Sequence, residues 1–351
     1  MATSIAHDPA RRATSISTLG LSISLGRLRT VRVGAVLVAA LLSGAQGSTV
    51  FGRAQVRSLP AAGTPAPSMT ERHHYVMSAR VRPLLLFWIG RSNVGDAIVT
   101  RAATPNEARY AFLIGSDPDR APRRINRWGY VEEKIRGETA TVVGLMTDSE
   151  EKSVEEAEKN LRREGSGVHT FKVIHATIDA EQSRSVVTAV GAPADYSFRQ
   201  VGALLALAGD GGTALQPRVV RLPRGTRPGF LTAMTEIVHA QAESARAGTL
   251  RAGTPLTYVY HGKFYELRGT SVQFKPTFEV NSSRYARVVS AQFATKSLAD
   301  GEETRFALSY AIDGRLAEVP LTISYQPRWW LQVNLALADD VDSPLLAALD
   351  R

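Results

Sequence analysis

Three observations predict an α+β chain that is predominantly antiparallel β, a barrel- or sandwich-like sheet with two or three helices packed on it. Across residues 285–338, apolar and polar side chains alternate with period two in four segments separated by turn residues, the pattern of strands with one buried face. Short runs rich in β-branched and aromatic residues recur from 84 to 279, as strands do. A clean helical period appears only at 148–164 and 229–246.

From the N-terminus, Arg27, Arg29 and Arg32 precede the apolar run Val33–Leu42, and small residues at Ala45 and Gly47 follow. This is the layout of an export signal over 1–47, cleaved before Ser48. The run is ten residues long, short of the roughly 20 that a spanning helix needs. Retention of the segment as an anchor is the alternative reading. Pro60, Pro65 and Pro67 among small residues mark 48–75 as a disordered linker. Residues 76–225 then read as a β-rich region and 226–340 as a helix plus meander, the two able to form a single domain, with 341–351 as a tail.

Within the first region, Leu84–Ile89 is an uninterrupted apolar run, as in a strand buried on both faces. Gly95–Ala103 and Arg109–Gly115 form a hairpin through Pro105-Asn106. Strands follow at Ala140–Met146, Thr170–Ile178 and Ser183–Val190. Between them Thr147 and Glu150 make a capping box for a surface helix over 148–164 with a thin apolar stripe, Val154, Ala157 and Leu161. Tyr196–Leu207 is apolar on all sides and suits either a helix or a buried strand. In 229–246, Phe230, Leu231, Met234, Ile237 and Val238 share one face, so this helix packs on a sheet.

Thr257–Leu267 and Thr270–Glu279 read as two strands before the meander. Inside the meander, a two-residue turn at Asp313-Gly314 opposes Leu308 to Val319 and Phe306 to Leu321. A turn at Asp300-Gly301 opposes Phe293 to Leu308 and Val289 to Ile312. A three-residue loop Gln326-Pro327-Arg328 sets Ile323 against Leu331 and Leu321 against Val333. Each register keeps apolar faces together, as burial requires.

The chain has 351 residues, a net charge of +9 and no cysteine. That excludes disulfides, thiolate nucleophiles, iron–sulfur clusters and Cys-bearing zinc sites. Residues 1–47 hold five arginines and one aspartate, so the remainder keeps 37 basic and 32 acidic residues, or +5. This is too mild for a nucleic-acid footprint, and no later stretch is apolar enough to span a bilayer as a helix.

Gly-x-Ser-x-Gly and His-Glu-x-x-His are absent from the sequence. Glu236, His239 and Glu243 share a helical face, as a metal-binding Glu-x-x-His helix presents them. They project opposite the apolar stripe, however, and no second such motif accompanies them, so neither a metal nor a cofactor is expected. His261 lies among Tyr258, Tyr260 and Tyr265; no histidine is singled out as a general base, and a catalytic site would draw on Glu236, His239 and Glu243, or on His261 with Glu266. The loop 117–129 carries Arg120, Arg123, Arg124 and Arg127 beside Trp128, which suits bidentate bonding and stacking on an anionic group. The opposing reading pairs these arginines with Asp117, Asp119, Glu132 and Glu133. The functional expectation is an exported, periplasmic or extracellular, non-catalytic protein. It binds a small apolar, amphiphilic or anionic ligand or an envelope partner. The alternative is a secreted hydrolase built around a histidine and carboxylates.

Overall fold

The computed structural model describes residues 69–82, 88–121, 124–146, 167–193, 195–210, 212–328 and 330–338. The export signal, the 48–68 part of the linker, Leu84–Phe87, Arg123, the 148–164 helix and the 341–351 tail lie outside the described residues. The first strands are β1 Met69–Val81, β2 Ile89–Thr104, β3 Glu107–Ser116, β4 Trp128–Arg136, β5 Thr139–Met146, β6 Val168–Ile178 and β7 Gln182–Pro193. A 3-10 turn, Phe198–Gln200, leads into helix α1, Val201–Asp210, and two short strands follow, β8 Thr213–Ala214 and β9 Arg218–Arg221. Helix α2, Phe230–Arg246, precedes β10 Leu256–Tyr260, β11 Lys263–Val280, β12 Ser283–Ser297, β13 Glu303–Ala311, β14 Pro320–Arg328 and β15 Leu331–Leu337.

All fifteen strands belong to one antiparallel sheet, in the order β10 to β15, then β1 to β8, with β9 also pairing β7. The chain therefore lays down β1–β7, crosses through α2 and returns to place β15 against β1. The sheet does not close, but its two ends are linked. Residues after β9 lead to Arg227, whose N–H donates to Thr257 O at 2.7 Å while Val259 N–H donates to Arg227 O at 3.1 Å. Gly144 on β5 lies so close to Tyr260 on β10 that a Cβ there would sit 2.1 Å from the Tyr260 hydroxyl.

The two faces carry different helices. On one, α2 buries Phe230, Leu231, Met234, Ile237 and Val238, the stripe read from the sequence, in a cluster drawing on β1 to β7 and β10 to β15. Phe230 stands 5.5 Å from Tyr258 and 5.8 Å from Phe306, ring centre to ring centre. On the other, Leu204 of α1 packs with Ile98, Leu113, Trp128, Phe171 and Val173. Helix α1 buries Leu204 alone and leaves Leu207 41% exposed, so the 196–207 segment takes the helical option on the surface of this face, not enclosed within it.

The N-terminus of α2 is capped from outside the helix. Gly229 offers no side chain. Instead, Glu133 of β4 accepts the N–H groups of Leu231 and Thr232 at 2.7 and 2.8 Å and the Thr232 hydroxyl at 2.6 Å. A Cβ at Gly229 would lie 2.1 Å from the Glu133 carboxylate, so this cap requires glycine. Burial pushes the Glu133 carboxyl up, against the three donors that favour its charged form.

Several expectations need correcting. β1 begins at Met69, inside the stretch read as linker. Prolines stop at Pro67, and beyond them Tyr75 and Met77 alternate inward. Trp88 and Ile89 are 39% and 49% exposed, so that end of the Leu84–Ile89 run is not buried. The strand pair before the meander divides at His261-Gly262, both at positive φ, 49° and 64°. Their turn joins β10 to a β11 that runs on through a bulge near Gly269. β4 was not read as a strand at all.

The four-stranded meander is present, with shifted registers. Leu308 faces Ile323, Phe293 faces Phe306, and Ile323 faces Leu335. Each shift is by an even number of residues, so every apolar face is kept. The β13–β14 link is the long loop 312–319, because Ile312 and Val319 are buried and Glu318 turns inward. β14 extends to Arg328 because Trp330, in the turn, is buried.

Candidate functional site

The exposed flank of α2 holds the densest group of chemically capable side chains. The apolar stripe faces the sheet, so Glu236, His239 and Glu243 emerge on the far side, each about half exposed. The three do not stay together. Glu236 takes both of its carboxylate bonds from the Arg227 guanidinium. His239 and Glu243 instead meet Glu318, a residue with no sequence signal. Ligand atoms of these three lie within 4.8 Å of one another.

Glu318 is 1% exposed and holds a φ of 62° in the 312–319 loop. Its two carboxylate oxygens are each 3.2 Å from His239 Nδ1. A carboxylate can only accept, so Nδ1 carries a proton directed at Glu318. Arg246 donates to Glu318 at 3.0 Å, to Glu243 and to the Ile312 carbonyl. Burial lowers the affinity of Arg246 for its proton, but Glu318 and Glu243 more than reverse this, so its pKa is raised. A metal ion would have to share this space with a fixed guanidinium, which opposes it by direct charge repulsion. What the arrangement offers is an oriented, half-exposed imidazole on a buried carboxylate, the geometry of a general base.

Arg120 of the arginine loop is turned inward. Arg120 bonds Asp117 at 2.9 Å and also reaches Asp96 and Asn93. Arg199 joins Asp117 at 2.8 Å, and His74 Nε2 lies 2.9 Å from Asp96. Burial raises the Asp117 pKa, but the Asp119 N–H and the two guanidiniums outweigh it and hold the carboxyl below its ordinary value. Trp128 is buried 5.5 Å from the Phe171 ring, its indole N–H donating to Tyr196 O. Arg124 is exposed, 3.7 Å from Asp119. Arg127 donates to Asn126 O at 3.2 Å. Glu132 binds Arg109, Lys134 and Tyr130 on the same face of the sheet. His261 occupies the β10–β11 turn, where burial, then Arg218 and Lys263, lower its pKa.

Sequence reasoning missed Glu318, Arg246, Asp96 and Arg199. Asp96 is an isolated charge next to the apolar run Ala97–Val99, a signal that it is buried with a partner, whereas Arg199 is half exposed and gives no such signal. Glu318 and Arg246 carry no such mark. A comparison with family models, curated proteins and solved structures finds no match to this chain in any of the three.

Proposed function

We propose that this chain is an exported, non-catalytic protein that recognises an amphiphilic or anionic envelope component through its surface. The observation that carries the reading is that α2 occupies the sheet face where an internal ligand would otherwise lie. Phe230, Met234, Ile237 and Val238 fill that space against Tyr258, Phe293, Phe306 and Tyr310. The charged groups with catalytic potential are turned to internal pairing: Asp117 with Arg120 and Arg199, Glu132 with Arg109 and Lys134, Glu318 with Arg246. Exposed aromatic and aliphatic side chains such as Trp88, Ile89 and Phe274 remain for recognition.

The test is thermal unfolding with and without monomeric fatty acids or lysophospholipids below their micelle concentration. Recognition at the surface raises Tm saturably by mass action, and the rise is lost when the exposed Trp88, Ile89 and Phe274 are replaced together by serine. A saturable rise that survives that replacement places the ligand inside the fold and overturns the reading.

A second reading, a hydrolase, is favoured by one observation, the His239–Glu318 pair. It requires ester or amide hydrolysis that His239→Ala abolishes and Glu318→Gln slows by about 10²–10⁴-fold, the range of general base catalysis. Absence of His239-dependent turnover removes it.

A further inference from the structure

The β1–β2 end of the sheet carries an apolar tip with a cationic collar. Trp88 and Ile89 are among the most exposed large apolar side chains described, and they stand where β2 begins, Ile89 opposite Val81. Arg80 faces Gly90 across the hairpin, and a Cβ at Gly90 would lie 3.6 Å from the Arg80 side chain. The arginine stem therefore lies along the strand beside the tip. Arg80 and Arg91 are exposed, and neither has a carboxylate partner among the described residues.

The β14–β15 turn reaches the same end. Arg82 N–H donates to Trp330 O at 2.8 Å, and Val81 pairs with Leu331. The strands that form the tip carry charge of one sign: from Ala79 to Gly95 the sequence has arginines at 80, 82 and 91 and no acidic residue, and from Val319 to Ala338 it has Arg328 and no acidic residue. In the neighbouring turn, where Asp117 N–H donates to Val94 O, Asp117 and Asp119 are met by Arg120 and Arg124.

We propose that this tip docks on an anionic lipid surface, Trp88 and Ile89 entering the headgroup–acyl boundary while Arg80 and Arg91 bind lipid phosphates. An indole with an apolar body and one N–H suits the interfacial depth. Long arginine stems follow the apolar surface and keep their charge among the headgroups. The collar's single sign is the complement of an anionic leaflet, and it repels a cationic partner. This rests on the surface-binding reading above and names its partner.

The test uses the purified full chain with phosphatidylcholine vesicles, with and without phosphatidylglycerol, carrying bromines at shallow acyl positions. Tryptophan emission should be quenched by the anionic vesicles, more weakly by the neutral ones, and the Trp88→Phe variant should lose most of the quenching. Trp128 and Trp330 are buried and contribute little, and the fourth tryptophan, Trp329, is replaced by Phe in every sample so that Trp88 carries the signal. The double variant Arg80→Gln/Arg91→Gln should bind about 30-fold more weakly, which is two contacts at about 1 kcal/mol each. Leu298→Ser, at an exposed position between β12 and β13, should change nothing, and unchanged melting temperatures show that each variant folds.

Unquenched emission, or quenching that survives unaltered in Trp88→Phe, overturns the proposal. If the vesicles fail but a soluble anionic glycan binds saturably, the lipid surface is wrong and surface recognition stands. If His239-dependent hydrolysis appears, the non-catalytic reading falls, whatever the tip does.

Discussion

Glu318 gathers more of the local structure than any other single side chain in the 312–319 loop. Its carboxylate joins the imidazole of α2 to Arg246, and its backbone sits at a φ of 62°, where a side chain costs about 1–2 kcal/mol. Removing the carboxylate leaves Arg246 half-satisfied, a loss of about 1–3 kcal/mol. Glu318→Ala should therefore lower the urea midpoint clearly. Glu318→Gly should lower it less, its unfolding free energy staying about 1 kcal/mol above that of Glu318→Ala, because glycine adopts that φ freely. Equal losses in the two would show that the backbone is not strained there. His73 supplies a pH dependence. Its Nε2 is buried without a hydrogen-bond partner. Burial, then Arg315, lowers its pKa from 6.5 to about 4. The folded pKa lies below the unfolded one, so folding is undisturbed above pH 6.5 and loses stability as pH falls through the window between them. The loss reaches roughly 3 kcal/mol near the folded pKa. The stability of the parent relative to His73→Leu should fall as pH drops through that window, with the largest change in their difference at its acid end. Burial lowers His175 and His261 in the same direction, so the variant flattens the profile without abolishing it.

Among the elements, β11 is the least evenly supported. Residues 263–267 lie between β10 and β12, but beyond Leu267 the strand has β12 on one side only. From Ser271 to Glu279 no residue is fully buried, although Val280 beyond them is buried and Asn281 donates to Leu337 O. Tied at both ends and open between, this stretch should exchange its amide hydrogens through local opening. Hydrogen exchange should give 271–279 at least tenfold less protection than Val289–Thr295 of β12, about 1.4 kcal/mol of opening free energy. Equal protection would mean that the hairpin opens only with the whole sheet. The same element shows what a sequence carries and what it withholds. Period-two alternation located the meander strands, and the 3.6-residue stripe located α2, because burial imposes each pattern directly. Register was not legible, since any even slip keeps Leu308 and Phe306 on the buried face and the pattern cannot separate them. β4 was illegible for a related reason. Glu132 and Glu133 point to opposite faces and are both buried, one on Arg109 and Lys134, the other on the end of α2, and adjacent glutamates read as loop. The candidate site was half visible, because helical spacing brought out His239 and Glu243 while Glu318 reaches them only through a loop in three dimensions.

At the scale of the molecule the sheet is two meanders joined by one long-range seam. Most neighbouring strands are also neighbours in sequence, whereas β1 and β15 pair Val81 with Leu331 and Tyr75 with Leu337, closing a loop of most of the described chain. Loop-closure entropy is met only when that seam forms, and local hairpins such as β2–β3 need no such closure. The seam should therefore be formed late in folding, with its contacts largely missing from the transition state. Leu335, 1% exposed and paired with Met77, and Phe112, 1% exposed on β3, are the matched probes. Truncation to Ala should cost each about 2–5 kcal/mol at equilibrium, so the two differ in kinetics and not in stability. Leu335→Ala should raise the unfolding rate and leave the main refolding phase nearly unchanged. Phe112→Ala should slow refolding. Stopped-flow chevrons of the two variants decide between orders. A Leu335→Ala variant that slowed refolding as much as its stability loss allows would mean that the chain ends pair first, with the two meanders condensing onto a β1–β15 core.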